Sequence, residues 1–250
     1  MAGTHVAVPK GTPWFCGVSL GSIARQISEH EPRTASPKPS RRGRLKTARR
    51  VRERPLRGRY RDLMNQADRA EELARKHLEI PLPRRWAHVQ GVAAQARSLT
   101  PILGDAADLL EAAAWLHDIG YSPELAETGF HPLDGARYLR DVHFAAPVLC
   151  SLVAHHSCAV IEAEERGLAG ELRREFASAS MVLNDALAYC DMTTDPGGNM
   201  VAVHDRLAEI RERYGPSSIV TRFTHDAGPC LIASVERITY VMTGESLRSR

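Results

Sequence analysis

The chain has 250 residues, of which 43% are hydrophobic and 25% charged, and a net charge of +3. That length suits one domain of roughly 150–200 residues with an appendage, in the composition range of ordinary soluble proteins. No apolar run approaches the roughly 18–20 residues that cross a bilayer, and no secretion signal opens the chain, so a cytoplasmic protein without membrane partners is expected. The five cysteines form no CxxC pair, which argues against a disulfide framework or cysteine zinc site and for free, mostly buried thiols.

The charge is unevenly placed. Residues 1–60 hold 14 Lys/Arg against three Glu, giving +11, and the remainder holds 19 Lys/Arg against 27 Asp/Glu, giving −8. The stretch RTASPKPSRRGRLKTARRVRERPLRGR, residues 33–59, lacks the apolar surface needed to offset ordering entropy. Residues 1–62 are therefore expected to be a disordered basic arm. Its alternatives are a solvated tail, a phosphate-contacting nucleic-acid element, and residues upstream of a start at Met64. No aromatic side chains interleave with its basic ones to stack bases.

Residues 63–250 are predicted to be one helical domain with a core over 80–195 and further helices at the C-terminus. The periodicity predicts helices near 63–78, 84–99, 105–119, 132–142, 146–156, 171–176, 179–192, 203–213 and 226–242. Proline and glycine stand between them, among them Pro81, Gly104, Gly129, Pro196 and Gly215. No alternating strand pattern appears, so the fold class is all-α.

The chemistry sits where apolar stripes meet ionisable residues. In DAADLLEAAAWLHDIGY, residues 105–121, Asp105 is the expected N-cap. Leu109, Ala113 and Leu116 form one stripe, and the helix is apolar nearly all round. It ends in His117 and Asp118, with Gly120 read as a helix stop. A His–Asp pair at the end of a buried helix is costly unless something binds it. Taken alone, the pair favours a plainer reading, a His capping the helix C-terminus beside a solvated Asp. His88 lies four residues before Val92 on the inward stripe of its own helix, and Asp191 follows Leu187 and Ala188 on the inward face of another. Imidazole and carboxylate together suit divalent iron, manganese, zinc or cobalt.

The order His88, His117-Asp118, Asp191 resembles the HD superfamily of metal-dependent phosphohydrolases. RWAHVQGVAAQA resembles the first helix of that pattern, AAWLHDIGY its central signature, and ALAYCDMTT its last helix, with Cys190 replacing the usual small residue. The resemblance covers roughly residues 80–195. It implies an HD-like helical bundle, one or two divalent ions, and hydrolysis of a phosphoester or phosphoanhydride, with a nucleotide as the expected substrate. His117 and Asp118 would be catalytic as well as metal-ligating, and Arg85 would contact substrate phosphate.

Further histidines make the pattern similar to two-metal branches of the superfamily, including the HD-GYP phosphodiesterases and the diadenosine-tetraphosphate hydrolases. That likeness implies a second ion held by His131, His155 and His156, with Asp118 bridging; alternatively one of the paired histidines orients a ligand instead of binding. SCAVIEAEERG follows the pair where HD-GYP proteins carry Gly-Tyr-Pro, and His-Ser replaces the His-Thr of the diadenosine hydrolases, so neither substrate carries over. The dipeptide His225-Asp226 has no matching helix partners and reads as structural. Two other readings stand beside hydrolysis: a non-catalytic nucleotide- or metal-sensing module, and nucleic-acid binding through the arm.

Overall fold

A computed structural model describes residues 65–243 of the protein. The basic arm, with its expected lack of order, lies outside the described residues. Within them the fold is all-α, as the sequence predicts. The elements are α1 (Gln66–Leu78), α2 (Pro83–Ser98), α3 (Thr100–Leu103), α4 (Ala107–Leu116), α5 (His131–Asp141), α6 (Pro147–His155), α7 (Ala159–Glu165), α8 (Ala169–Glu175), α9 (Met181–Met192), α10 (Val203–Tyr214) and α11 (Ile219–Thr243). Three 3-10 turns join them, at Gly104–Ala106, Ile119–Tyr121 and His156–Cys158. No described helix is long and apolar enough to cross a membrane.

The apolar helix α4 is the hub. Leu110, Ala112, Ala113 and Ala114 are fully buried, and α1, α2, α6 and α9 pack around it. Its small alanines let those neighbours approach closely on several sides. Trp115 of α4 stacks on Trp86 of α2, with ring centroids 5.5 Å apart. Near the start of α4, Asp108 accepts from the backbone N–H groups of Gln66 and Ala67, at 3.1 and 3.2 Å. It thereby satisfies amides that the first turn of α1 leaves without helical partners.

Helix α9 is shared by two cores. Leu183, Ala186 and Leu187 belong to the main one, whereas Ala188 and Met192 join Val203, Leu207, Leu231 and Val235 in a second core with α10 and α11. A buried carboxylate pins this arrangement: Asp185 of α9 accepts from Ser234 at 2.7 Å and from two nitrogens of Arg237, both on α11.

Several sequence expectations are corrected. Asp105 does not cap α4; it lies in the 3-10 turn, and the helix starts at Ala107. The segment 159–165 forms a helix the periodicity reading passed over, although Ala159, Glu162 and Ala163 make a buried stripe. Helix α11 starts at Ile219, before the predicted 226, and runs through Pro229. That proline can offer no hydrogen bond to the carbonyl four residues earlier, on His225, but both residues are exposed and water can serve the freed oxygen.

Gly120 is also not a helix stop, since its φ is not positive. It is a contact glycine: a Cβ there would stand 2.1 Å from the His131 carbonyl oxygen and 2.7 Å from the Gly135 nitrogen. The missing side chain lets α5 close onto the turn that follows Asp118. Gly120→Ala therefore forces backbone apart and should cost roughly 1–3 kcal/mol of stability. Chemical denaturation would measure it, and an unchanged midpoint would contradict this packing role.

Helices α5 and α8 are joined by Glu175, which accepts from Arg137 at 2.5 and 3.0 Å and from Arg140 at 2.9 Å. The Arg137 hydrogen bonds, and then those of Arg140, outweigh burial and bring the Glu175 carboxyl down to about 2. Because this lies below the unfolded value of roughly 4.3, the stabilisation is fully present above that pH and disappears as pH falls toward 2. The Tm difference between wild type and Glu175→Gln should accordingly be largest at neutral pH and vanish in strong acid. A pH-independent difference would rule the interaction out as its source.

Candidate metal centre

Six ionisable side chains from five parts of the fold meet at one end of α4. His88 comes from the first half of α2, His117 and Asp118 from the residues just past α4, His131 from the start of α5, His156 from the turn after α6, and Asp191 from the last turn of α9. They fall into two groups, His88–His117–Asp191 and Asp118–His131–His156. Within each group the candidate ligand atoms all lie within 4.8 Å of one another.

Asp118 faces both groups. Its Oδ2 is 3.3 Å from His117 Nε2 and 3.9 Å from His88 Nε2, and its Oδ1 is 3.3 Å from His131 Nε2 and 4.0 Å from His156 Nε2. Asp191 sits beside the first group, with Oδ1 3.1 Å from His88 Nε2, and accepts from Ser157 Oγ at 2.5 Å through its other oxygen.

The outer nitrogens of three histidines fix what the inner ones can do. His88 Nδ1 lies 3.0 Å from the Asp195 carbonyl oxygen, His117 Nδ1 2.8 Å from that of Ala114, and His156 Nδ1 2.7 Å from that of Val153. A carbonyl oxygen can only accept, so each Nδ1 carries the proton and each Nε2 of a neutral ring presents a lone pair. These lone pairs converge on carboxylate oxygens and on each other; His131 and His156 bring their Nε2 atoms to 3.1 Å. His117 Nε2 is fully buried and has no hydrogen-bond partner. A knot of acceptors with too few protons to share is poorly satisfied by the protein alone and well matched to cations. The residues present thus fit divalent ions with nitrogen and oxygen donors.

The electrostatics agree. Burial alone would raise the Asp118 carboxyl, but Arg85, then His117 and His131, hold it well below the usual carboxylate range. Asp191 is likewise held low against its burial by the neighbouring His88 and His117. Burial pushes the His131 imidazole down, and it pushes His156 to about 3 with help from His131 and His117. Both are neutral donors at physiological pH. His117 moves the other way, because the adjacent Asp118 carboxylate overrides burial.

Arg85 stands at the edge of the cluster. It donates to Asp118 Oδ2 at 2.5 Å and lies over the Tyr121 ring, 4.0 Å from its centroid. With Asp118, His131, His156 and Asp191 it lines an open cleft.

Of the paired histidines, only His156 joins the cluster; His155 stands apart from it. Its Nε2 is turned to the Phe176 carbonyl oxygen, 2.9 Å away. Helix α6 ends there, and His156 has extended backbone (φ −57°, ψ 150°), so the two adjacent rings leave in different directions. Ser157, which sequence reasoning left without a role, orients Asp191. Asp195 was missed as well: its carboxylate ties the turn through Gly197 N and Asn199 N, at 2.7 and 2.9 Å, while its carbonyl sets the His88 tautomer. This turn approaches α2 because Gly91 lacks a Cβ, which would stand 2.4 Å from the Gly198 oxygen. His225 and Asp226 pair only with each other on the surface, 3.0 Å apart. Among the described residues the Cys150 and Cys190 thiols are buried, whereas Cys158 is half-buried and Cys230 exposed.

Residues 85–191 match the HD domain family. No curated protein and no solved structure matches the chain significantly. The matched segment runs from Arg85 to Asp191, the outermost members of the cluster, and the His, His-Asp and Asp residues that carry the pattern stand together in the fold. What the match supports is an HD domain over residues 85–191 of this chain.

Proposed function

We propose that the protein is a metal-dependent phosphohydrolase that cleaves a phosphoester or phosphoanhydride bond in a small phosphorylated molecule, a nucleotide by our reading. The observation that carries it is the convergence of Nε2 lone pairs and carboxylate oxygens around Asp118. In the proposed assignment His88, His117 and Asp191 would hold one ion and His131 and His156 a second, with Asp118 available to both. The ions belong to the iron, manganese, zinc or cobalt class. The chemistry a bound ion supplies is acidification of a water and polarisation of a phosphoryl oxygen.

The chain's own residues do the rest. Ser157 and the Asp195 carbonyl orient Asp191 and His88, so the donor atoms are fixed before any ligand arrives. Arg85 is one-fifth exposed at the cleft, where its planar fork suits a phosphate oxygen pair. Its stacking on Tyr121 limits the rotamers it must give up on binding.

Replacing Asp118 with Asn keeps the size and removes the charge that both groups face. The variant should retain less than one ion per chain and fall to background turnover on a panel of nucleotides and phosphate esters. Activity at the wild-type level would sink the mechanism, and a fully metal-loaded wild type inert across the panel would favour the sensing reading. His155→Ala offers a contrast at the neighbouring position. Its metal content and turnover should stay within about twofold of wild type, since its contact is to a backbone carbonyl; a lost ion would restore His155 to the ligand set.

A further inference from the structure

The cleft has a second wall, built from residues beyond the family match. Helices α10 and α11 contribute Arg206, Arg213, Tyr214 and Phe223 to the cavity that Asp118, His131, His156 and Asp191 line. Arg206 is 4% exposed, yet it lines this cleft and an adjoining pocket that it shares with Arg84, Arg85, His88 and Arg213. One Nη donates to Glu209 at 2.5 Å, while Nε is buried with no partner. A buried guanidinium N–H without an acceptor is costly, and the fork of Nε and Nη fits an oxyanion with two oxygens. Arg213 and Arg85 add positive charge on the same cavity, and Arg213 lies over the Tyr214 ring at 4.9 Å. Tyr214 is 38% exposed, which leaves ring surface for a planar ligand.

We infer that Arg206, supported by Arg213, binds a phosphate group of the substrate, and that Tyr214 with Phe223 takes an aromatic base, which makes the substrate class a nucleotide. This rests on the phosphohydrolase reading and deepens it. The test measures inorganic phosphate and adenosine monophosphate binding to the metal-loaded full chain by calorimetry, alongside metal equivalents. Arg206→Gln should weaken phosphate at least tenfold with metal content unchanged, and Arg206→Lys should fall between, since it keeps the charge and loses the fork. Tyr214→Ala should weaken the nucleotide and leave inorganic phosphate alone. Equal phosphate affinity in wild type and Arg206→Gln overturns the inference, as does a Tyr214→Ala variant that binds the nucleotide as wild type does. A protein that turns nothing over but binds phosphate through Arg206 would defeat the hydrolase reading and leave the phosphate site standing.

Two of the cysteines carry an independent inference. Cys158, just before α7, and Cys230 on α11 bring their sulfurs to 2.8 Å. The Cys158 thiol donates to Cys230, which, with Arg237 nearby, draws the exposed Cys230 thiol down to about 7. Ser157 and Cys158 both have left-handed backbone, with φ of 48° and 58°, a conformation costly for residues with a Cβ. This strained turn also carries His156 and the Ser157 hydroxyl that orients Asp191.

We propose that Cys158 and Cys230 are a reversible dithiol–disulfide site that braces this turn against α11. The Cys230 thiolate attacks a hydroperoxide oxygen, takes it as a sulfenic acid, and, with a proton, releases water or the corresponding alcohol. The Cys158 sulfur then attacks the sulfenic sulfur, the S–S bond forms, and water leaves; two thiols are oxidised and one peroxide reduced. After treatment of the full chain with hydrogen peroxide, peptide mapping should find Cys158 cross-linked to Cys230, with two hydrogens lost and regained under dithiothreitol. The oxidised chain should melt several degrees higher, and Cys158→Ser or Cys230→Ser should abolish both effects. Over-oxidation of Cys230 beside a free Cys158, or a cross-link that leaves Tm unchanged, overturns the proposal.

Discussion

One carboxylate organises this molecule. Asp118 turns one oxygen toward His88 and His117 and the other toward His131 and His156, and it is almost wholly buried as it does so. A buried anion is tolerated only where the surroundings return the solvation it loses. Here that return comes from separate helices, none of which can shift without uncovering the charge. The contact glycines serve the same requirement. Gly120 lets α5 deliver His131, and Gly91 lets the 195–199 turn reach His88, each by bringing backbone closer than any Cβ allows.

The cluster combines polar precision with an apolar frame. Alanines of α4 permit close helix approach, and α9 fastens the main core to the second core beneath α10 and α11. Asp191, at the end of α9, lies where the two meet, so the packing that unites the cores also aims a ligand. Backbone carbonyls of Ala114, Val153 and Asp195 set the tautomers of three histidines. These are main-chain contacts that depend on the fold and survive side-chain replacement nearby.

Much of this was legible in the sequence. The apolar stripes of 84–99 and 179–192 placed His88 and Asp191 inward, because helical period decides which face is buried, and the all-round apolar 105–119 helix led to His117-Asp118 at its end. His131 was legible as a helix start. The pair at 155–156 was not resolvable, since periodicity put both rings on the core side and only the helix end at His155 separates them. Asp195 and Gly91 stayed invisible because their roles arise from an approach between segments more than 100 residues apart. The prediction of α11 already ran through Pro229 but began at 226, seven residues after the helix starts at Ile219. The Arg206 wall escaped notice for a related reason: its helix reads as an ordinary amphipathic one, and burial of a guanidinium shows only in three dimensions.

The most direct test of the account is the number of divalent ions the full chain binds, by elemental analysis of protein purified anaerobically without chelator and then reloaded. A carboxylate with one oxygen facing each donor group predicts close to two ions per chain. A value that stays at one, or at none after metal is restored, would contradict the bridging role given to Asp118.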